Sequence, residues 1–176
     1  MTGMTPDELA RRIAETAVLR GTFTLRSGRT SSYYIDKYLF LTDPEILGEL
    51  GALIAARLPE GTRRLAGAEL GGIPLVSAAS MASGLPCVYV RNSRKQYGTG
   101  KQLEGRLEPG ELVVFVEDVA TTGGQAIEAA KVISDEGAEV VAIIATVDRQ
   151  EGARQNIEAA GYRFDALFTT TDLGIA

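Results

Sequence analysis

Val113-Val114-Phe115-Val116-Glu117-Asp118-Val119-Ala120-Thr121-Thr122-Gly123-Gly124-Gln125 is the stretch on which the fold turns. The apolar run Leu112 to Val116 has the length and branching of a buried strand, and it stops at two adjacent carboxylates. A loop of small hydroxyl residues and glycines follows, after which Ala126, Ile127, Ala129 and Ala130 take up a helical spacing. Strand, loop and helix in that order make a βα unit. In a parallel sheet the carboxyl ends of the strands face the ligand crevice, so Glu117 and Asp118, just past the strand, are presented to a bound molecule. Thr121, Thr122, Gly123 and Gly124 can turn several backbone N–H groups toward one anion at the helix start, where the macrodipole also favours negative charge. The combination suits a ligand with both hydroxyls and a phosphate, such as a phosphorylated ribose. The alternative, a buried strand ending in a solvated acidic turn, does not call for both features. No Lys-Ser or Lys-Thr pair follows the glycines, which excludes a P-loop ATPase reading.

Working outward, the same alternation runs through most of the chain. Short strands are expected at Leu65 to Ala68, Cys87 to Val90, Val140 to Val147 and Phe164 to Thr169. Helices are expected at Pro74 to Ser83, Gln125 to Glu136 and Ala153 to Ala160. Strands alternating with helices imply right-handed crossovers, hence an α/β fold with a mostly parallel central sheet flanked by helices. Before this core, Thr5 as N-cap, Pro6, Asp7 and Glu8 start a helix that should stop near Gly21. Asp43 and Pro44 start a second, burying Ile46, Leu50, Leu53 and Ile54 on one face.

With 176 residues, 45% of them hydrophobic, the chain suffices for one domain, residues 1–176, with a sizeable core. A formal charge of -5 and a pI near 4.9 argue against nonspecific binding to nucleic acid or a membrane surface. The segment Met1 to Arg12 lacks the apolar core of a secretory signal, and the longest apolar stretch, Val140 to Val147, is too short to span a bilayer; a cytoplasmic protein is expected. There is no histidine and a single cysteine, Cys87. That excludes Ser-His-Asp and Cys-His catalysis, His-ligated zinc and an intrachain disulfide. What remains is carboxylate, Lys, Arg, Tyr and backbone chemistry, with no metal site from protein side chains alone and Mg²⁺ held mostly through substrate phosphates.

Three further segments carry chemistry. Ala68-Glu69-Leu70-Gly71-Gly72-Ile73-Pro74 leaves a strand and enters a helix; Gly71 and Gly72 let the backbone approach an anion, although a tight turn without ligand has the same pattern. Residues 91–105, between two strands, lack periodicity and carry Arg91, Arg94, Lys95 and Lys101 with Gly98, Gly100 and Gly105. A closing lid whose cations offset a leaving anion accounts for that composition, and a solvated excursion is the alternative. Phe23 to Asp36 sets Arg26, Arg29, Tyr33 and Tyr34 around Gly28, where Tyr34 can stack on a planar heterocycle and Arg26 can bond a carboxylate; plain aromatic packing is the alternative. Val147-Asp148-Arg149-Gln150-Glu151-Gly152 ends a strand at the same sheet edge as Asp118. Arg149 can there grip a carboxylate in bidentate fashion, or pair with Asp148 or Glu151.

The 113–125 stretch resembles the phosphoribosyl diphosphate (PRPP) signature of type I phosphoribosyltransferases. Phe-Thr-Leu-Arg-Ser-Gly-Arg with Tyr-Tyr-Ile-Asp, then Gly-Thr-Gly-Lys-Gln-Leu-Glu-Gly, then Asp-Arg-Gln-Glu-Gly narrow the likeness, over nearly the whole chain, to the orotate phosphoribosyltransferase family. The resemblance implies the type I phosphoribosyltransferase fold, with an N-terminal base-recognition hood over 1–42 and an α/β core over 43–176. It implies transfer of the phosphoribosyl group from PRPP to a ring nitrogen of orotate, with loss of diphosphate and with Mg²⁺ as cofactor. Lys95, Glu117 and Asp118 are then the catalytic residues. PRPP falls to Arg91, Lys95, Tyr97, Gly71 and Gly72 and to the run Glu117, Asp118, Val119, Ala120, Thr121, Thr122, Gly123, Gly124, Gln125; orotate falls to Thr121, Arg149, Arg26 and Tyr34. A homodimer is also implied, with loop 91–105 reaching the neighbouring site. The sequence departs from the family pattern at Asn92, where a second loop lysine is usual, and at Tyr97, where many members have histidine. It departs again at Leu70-Gly71, where some bacterial relatives have Tyr-Lys, and at Arg26, a common lysine. A purine phosphoribosyltransferase and a non-catalytic PRPP-sensing regulator are the rival readings.

Overall fold

The computed structural model describes residues 3–24, 28, 30–93 and 102–175. Arg26, Lys95 and Tyr97, each expected at the site, lie outside the described residues, as do Arg94 and Lys101. The first helix, α1 (Pro6–Ala17), starts as its sequence directs: Thr5 Oγ1 accepts from the Glu8 N–H at 3.3 Å, and Glu8 returns a carboxylate to the Thr5 N–H at 2.8 Å. It ends at Ala17 rather than near Gly21, because Val18 turns extended and opens β1 (Val18–Thr24), which pairs antiparallel with β2 (Thr30–Ile35). The five-residue helix α2 (Lys37–Leu41), capped by Asp36, follows, and then α3 (Pro44–Ala56), capped by Asp43.

The core follows the expected alternation: β3 (Arg64–Ala68), α4 (Gly72–Ser83), β4 (Cys87–Val90), β5 (Leu103–Glu104), β6 (Leu112–Ala120), α5 (Gly124–Asp135), β7 (Glu139–Asp148), α6 (Ala153–Ala159) and β8 (Phe164–Thr169). The sheet order is β5-β4-β3-β6-β7-β8; only the β4–β5 pair is antiparallel. β5 was not expected. It pairs Leu103 with Val90 and Glu104 with Tyr89, and the Arg91 N–H donates to the Gln102 carbonyl at 2.8 Å, so both ends of the aperiodic 91–105 stretch are anchored to the sheet. The helix α4 begins at Gly72, two residues before Pro74.

Side chains alternate across the sheet as a strand requires. Val114 and Val116 pack into a cluster with Ile13 of α1, Leu50 of α3 and Leu75 of α4, while Val113 and Phe115 pack on the other face with Ile133 of α5 and Ile157 of α6. Leu9, Phe40 and Leu41 belong to the first cluster, as does Ile35 at the end of β2, so within residues 1–42 it is the middle of β1 and the start of β2 that stay largely exposed. Gly51 lets α3 and α4 meet closely, since a Cβ there would collide with the Ala78 backbone. Among the described residues no helix is long and apolar enough to cross a membrane.

The topology places the site. From β3 the chain crosses over to β4 on one side, and from β6 it crosses to β7 on the other, although β3 and β6 are neighbours. The connections diverge where those two strands end. That divergence opens the crevice in which ligands of open α/β sheets bind.

Candidate active site

Glu117 and Asp118 lie within β6, whose ladder with β7 continues through Glu117–Ala145, Val119–Val147 and Ala120–Asp148. The sequence expectation that the strand stops before the acids is corrected: the apolar run ends because the strand reaches the crevice, while its backbone pairing persists. Asp118 is buried, with Oδ1 accepting from the Val119 N–H at 2.6 Å and Oδ2 accepting from Lys37 Nζ at 2.6 Å. Burial lifts the Glu117 carboxyl to about 8; the adjacent Asp118 charge adds to the rise and Lys37 opposes it. Burial also works against the Lys37 charge, but attraction and hydrogen bonding to Asp118 outweigh it, so its pKa is raised and the ammonium persists.

The Glu117 shift has a consequence for stability. Its folded value lies above the ordinary 4.5, so the folded state holds a proton that the unfolded chain has lost across the window from about 4.5 to about 8. The contribution is fully present below that window and is lost as pH rises through it. Glu117→Gln removes the titration, so we expect its melting temperature to exceed the wild type's at pH 9 by about 3 °C or more. The two should converge at pH 4 to 5. Parallel thermal melts across this range check it, and equal melting temperatures at pH 9 would refute it.

After Ala120, residues Thr121 to Gly123 turn the chain into α5. Gly123 has φ 82°, and a Cβ on it would strike Ile157 and the Ala153 carbonyl of α6. Glycine is therefore required both by the turn and by the close approach. No side chain caps α5, and Asn156 Nδ2 donates to the Thr122 carbonyl at 2.8 Å, steadying the turn from α6. The first N–H groups of α5 are thus left without a side-chain acceptor, the arrangement an anion uses.

Across the crevice lies the loop from β3 to α4. The Glu69–Leu70 peptide bond is cis. The Glu69 N–H donates to the Val90 carbonyl at 3.0 Å, and Glu69 Oε1 accepts from the Asn92 N–H at 2.5 Å. The loop is therefore tied to the base of the 91–105 segment. Gly71 faces the acids so closely that a Cβ there would run into the Asp118 carboxylate. Between these walls is a cavity of about 320 Å³ that brings together Glu117, Asp118, Gln125 and Arg91 with Glu69 and Lys37. Arg91 faces Glu104 at 3.6 Å, and its Nε is buried without a hydrogen-bond partner among the described residues.

Arg149 is outside the lining of this cavity but joined to its edge, because its N–H donates to the Ala120 carbonyl at 2.9 Å and so extends the β6–β7 ladder by one residue. Its guanidinium meets Glu151 at 2.9 Å and the Tyr33 hydroxyl at 3.2 Å, lies 5.2 Å from the centre of the Tyr33 ring, and leaves its buried Nε without a partner among the described residues. Asp148 instead accepts from the Gln150 N–H at 2.8 Å. Gln150 has φ 59°, and its side chain accepts from Thr170 and Thr171. Tyr34 is 45% exposed and packs on Phe23 with ring centres 5.8 Å apart, so Tyr33 is the tyrosine brought to Arg149. The sequence alone assigned no role to Tyr33, Lys37 or Glu69. The period of two along β2 marks Tyr33, but no local pattern marks the pairing of Lys37 with Asp118.

No protein-family model matches the chain. It is 50% identical over 157 residues to the orotate phosphoribosyltransferase of Haloquadratum walsbyi, covering 89% of this chain and 85% of that protein. It is 46% identical over 169 residues to that of Halobacterium salinarum, covering 96% of each. Among solved structures, Mycobacterium tuberculosis H37Rv orotate phosphoribosyltransferase superimposes with a TM-score of 0.85 at 33% identity, covering 96% of this chain and 98% of that one. The same mycobacterial enzyme in complex with PRPP gives a TM-score of 0.78, with the same identity and coverage. With identities of 46% and 50% over most of both chains and a shared fold, this chain belongs to the orotate phosphoribosyltransferase family.

Proposed function

We propose that the protein transfers the 5-phosphoribosyl group from PRPP to orotate, releasing diphosphate and giving orotidine 5′-phosphate for pyrimidine synthesis, as a cytoplasmic homodimer. The observation that carries this reading is the acid pair on β6, Asp118 buried and Glu117 half-buried, set between an uncapped helix start and a glycine loop at the switch point of the sheet. Glu117 and Asp118 hold the ribose hydroxyls, and the Asp118 carboxylate stabilises the positive charge that grows on the sugar ring as the diphosphate departs, with Glu117, protonated in the empty site near neutral pH, as its hydrogen-bonding neighbour. The N–H groups from Thr121 to Gln125 take the 5-phosphate, and those of Gly71 and Gly72 approach the diphosphate. Arg91 contributes from the cavity wall, and Lys95 and Tyr97 act from the loop. Thr121, Arg149, Arg26 and Tyr34 receive orotate, with Arg149 gripping its carboxylate.

Among the described residues no group of three or more carboxylate, histidine or cysteine side chains forms a ready metal cage. The cavity nevertheless suits Mg²⁺, which commonly takes one or two carboxylates and completes its shell with substrate oxygens. Asp118 is the residue that would hold it, joined by Glu117 once the bound cation displaces its proton. When bound it supplies charge neutralisation for the diphosphate.

Arg149→Ala is expected to raise the KM for orotate about 30-fold while leaving PRPP affinity within about twofold, since a lost charge-assisted contact costs on the order of 2 kcal/mol. Titration calorimetry with each ligand separates this from a structural role, in which both affinities fall together. For the reading as a whole, the protein with PRPP and Mg²⁺ is offered orotate, adenine, hypoxanthine and uracil in turn. Turnover with orotate alone is expected. A preference for adenine or hypoxanthine would favour a purine enzyme, and PRPP binding without turnover would favour a regulator.

A further inference from the structure

Lys37 is the first residue of α2, which the Asp36 side chain caps through the Tyr38 N–H at 3.2 Å and which is fastened to the core by Phe40 and Leu41. Its backbone is therefore held by packing and its ammonium reaches the site from the N-terminal segment, not from the α/β core. There it lines the cavity and takes Oδ2 of Asp118 at 2.6 Å. The opposite wall has no cation to offer: Glu69, Leu70, Gly71 and Gly72 contain none, and the space beside Asp118 is too narrow for any side chain at position 71. Among the described residues lining the cavity, the cations are Lys37 and Arg91, facing the carboxylates Glu69, Glu117, Asp118 and Glu128. A substrate with several phosphate charges entering a cavity lined by so many acidic residues is favoured by each of those cations. The ribose hydroxyls and Lys37 also seek the same carboxylate of Asp118, and both cannot hold Oδ2 in the same way.

We propose that Lys37 is a substrate-binding residue: as the ribose hydroxyls engage Asp118, its ammonium passes from that carboxylate to a diphosphate oxygen of PRPP, supplying from the N-terminal segment the cation that loop 69–72 lacks. This rests on the PRPP-dependent activity proposed above. In the ligand-free protein the same ammonium offsets the buried charge of Asp118, so one residue serves the empty and the occupied site in turn.

The test titrates PRPP with Mg²⁺, in the absence of any base, into wild type, Lys37→Met and Lys37→Arg, with steady-state kinetics alongside. Lys37→Met is expected to weaken PRPP binding by about 10- to 100-fold and to raise the KM for PRPP correspondingly. The KM for orotate should stay within about twofold, and Lys37→Arg should recover most of the loss, because it restores the charge. Thermal melts establish that each variant is folded. If Lys37→Met does not fold, Lys37→Gln, which keeps a hydrogen-bonding end beside Asp118, takes its place in the comparison. PRPP binding unchanged in the neutral variant, or equally weakened in Lys37→Arg, would overturn the proposal. Because binding is read without a base, wild type that binds PRPP but does not convert orotate would count against the activity alone; wild type that does not bind PRPP would overturn both.

Discussion

Asp118→Asn is expected to lower kcat by on the order of 100-fold or more while changing orotate affinity by less than about threefold. The substitution keeps the size of the side chain and its acceptor toward the Val119 N–H, so β6 and its ladder remain in place. What disappears is one buried negative charge, which on the proposed reading lies next to the carbon at which positive charge develops. A charge matters most to the state in which its complement is largest, and that state is the transition state rather than either ground-state complex. Lys37 is left facing a neutral amide, and because it is partly exposed the stability change should be modest. Single-turnover rates combined with orotate titrations check the split. An unchanged rate in the folded variant would remove the acidic pair from the mechanism.

The second large effect concerns Lys95. It lies in the 91–105 segment, whose ends are anchored by the β4–β5 pair and by the reciprocal Arg91–Gln102 hydrogen bonds. If its ammonium completes the neighbouring subunit's site, Lys95→Ala lowers kcat on the order of 100-fold by removing charge stabilisation from the departing diphosphate. On that reading, in a homodimer, Lys95→Ala and Asp118→Asn each cripple both sites. A mixed dimer, however, holds one site with both defects and one with neither. With random reassortment roughly half the dimers are mixed, so mixing should restore roughly a quarter of wild-type activity. Demonstrated subunit exchange with no recovery would place Lys95 over its own subunit's substrate, or outside catalysis.

The fold was legible where burial imposes a period. The runs around Ile143 and Phe164 are flanked by helices with Ile133 and Ile157 at core spacing, and each became the expected strand or helix within a residue or two, while the run around Val114 became a strand from the expected start. The hairpin was not legible, because much of β1 is exposed and Gly21 interrupts it, leaving no alternation for a core to impose. β5 has two residues and α2 has five, both too short for a periodic signal. The acids and the glycine turn at the site could be read because they are contiguous. The Lys37–Asp118 pair and the packing of Tyr33 on Arg149 could not, since each joins segments far apart in sequence whose meeting depends on how the N-terminal elements settle on the sheet. Strand length was underestimated at β6 for a related reason: polarity reports where a strand meets a ligand crevice, whereas hydrogen bonding decides where it ends.

Phosphorus NMR of a mixture of PRPP, Mg²⁺ and orotate reads out whether the phosphoribosyl group passes from PRPP to orotate at the Glu117–Asp118 cavity. With wild type, the PRPP resonances should give way to free diphosphate and one phosphomonoester in equal amounts, matching orotidine 5′-phosphate and the orotate consumed, while Asp118→Asn run alongside should stay near its starting spectrum. PRPP that persists with wild type, PRPP lost without consumption of orotate, or an Asp118→Asn time course as fast as wild type would contradict transfer at that cavity.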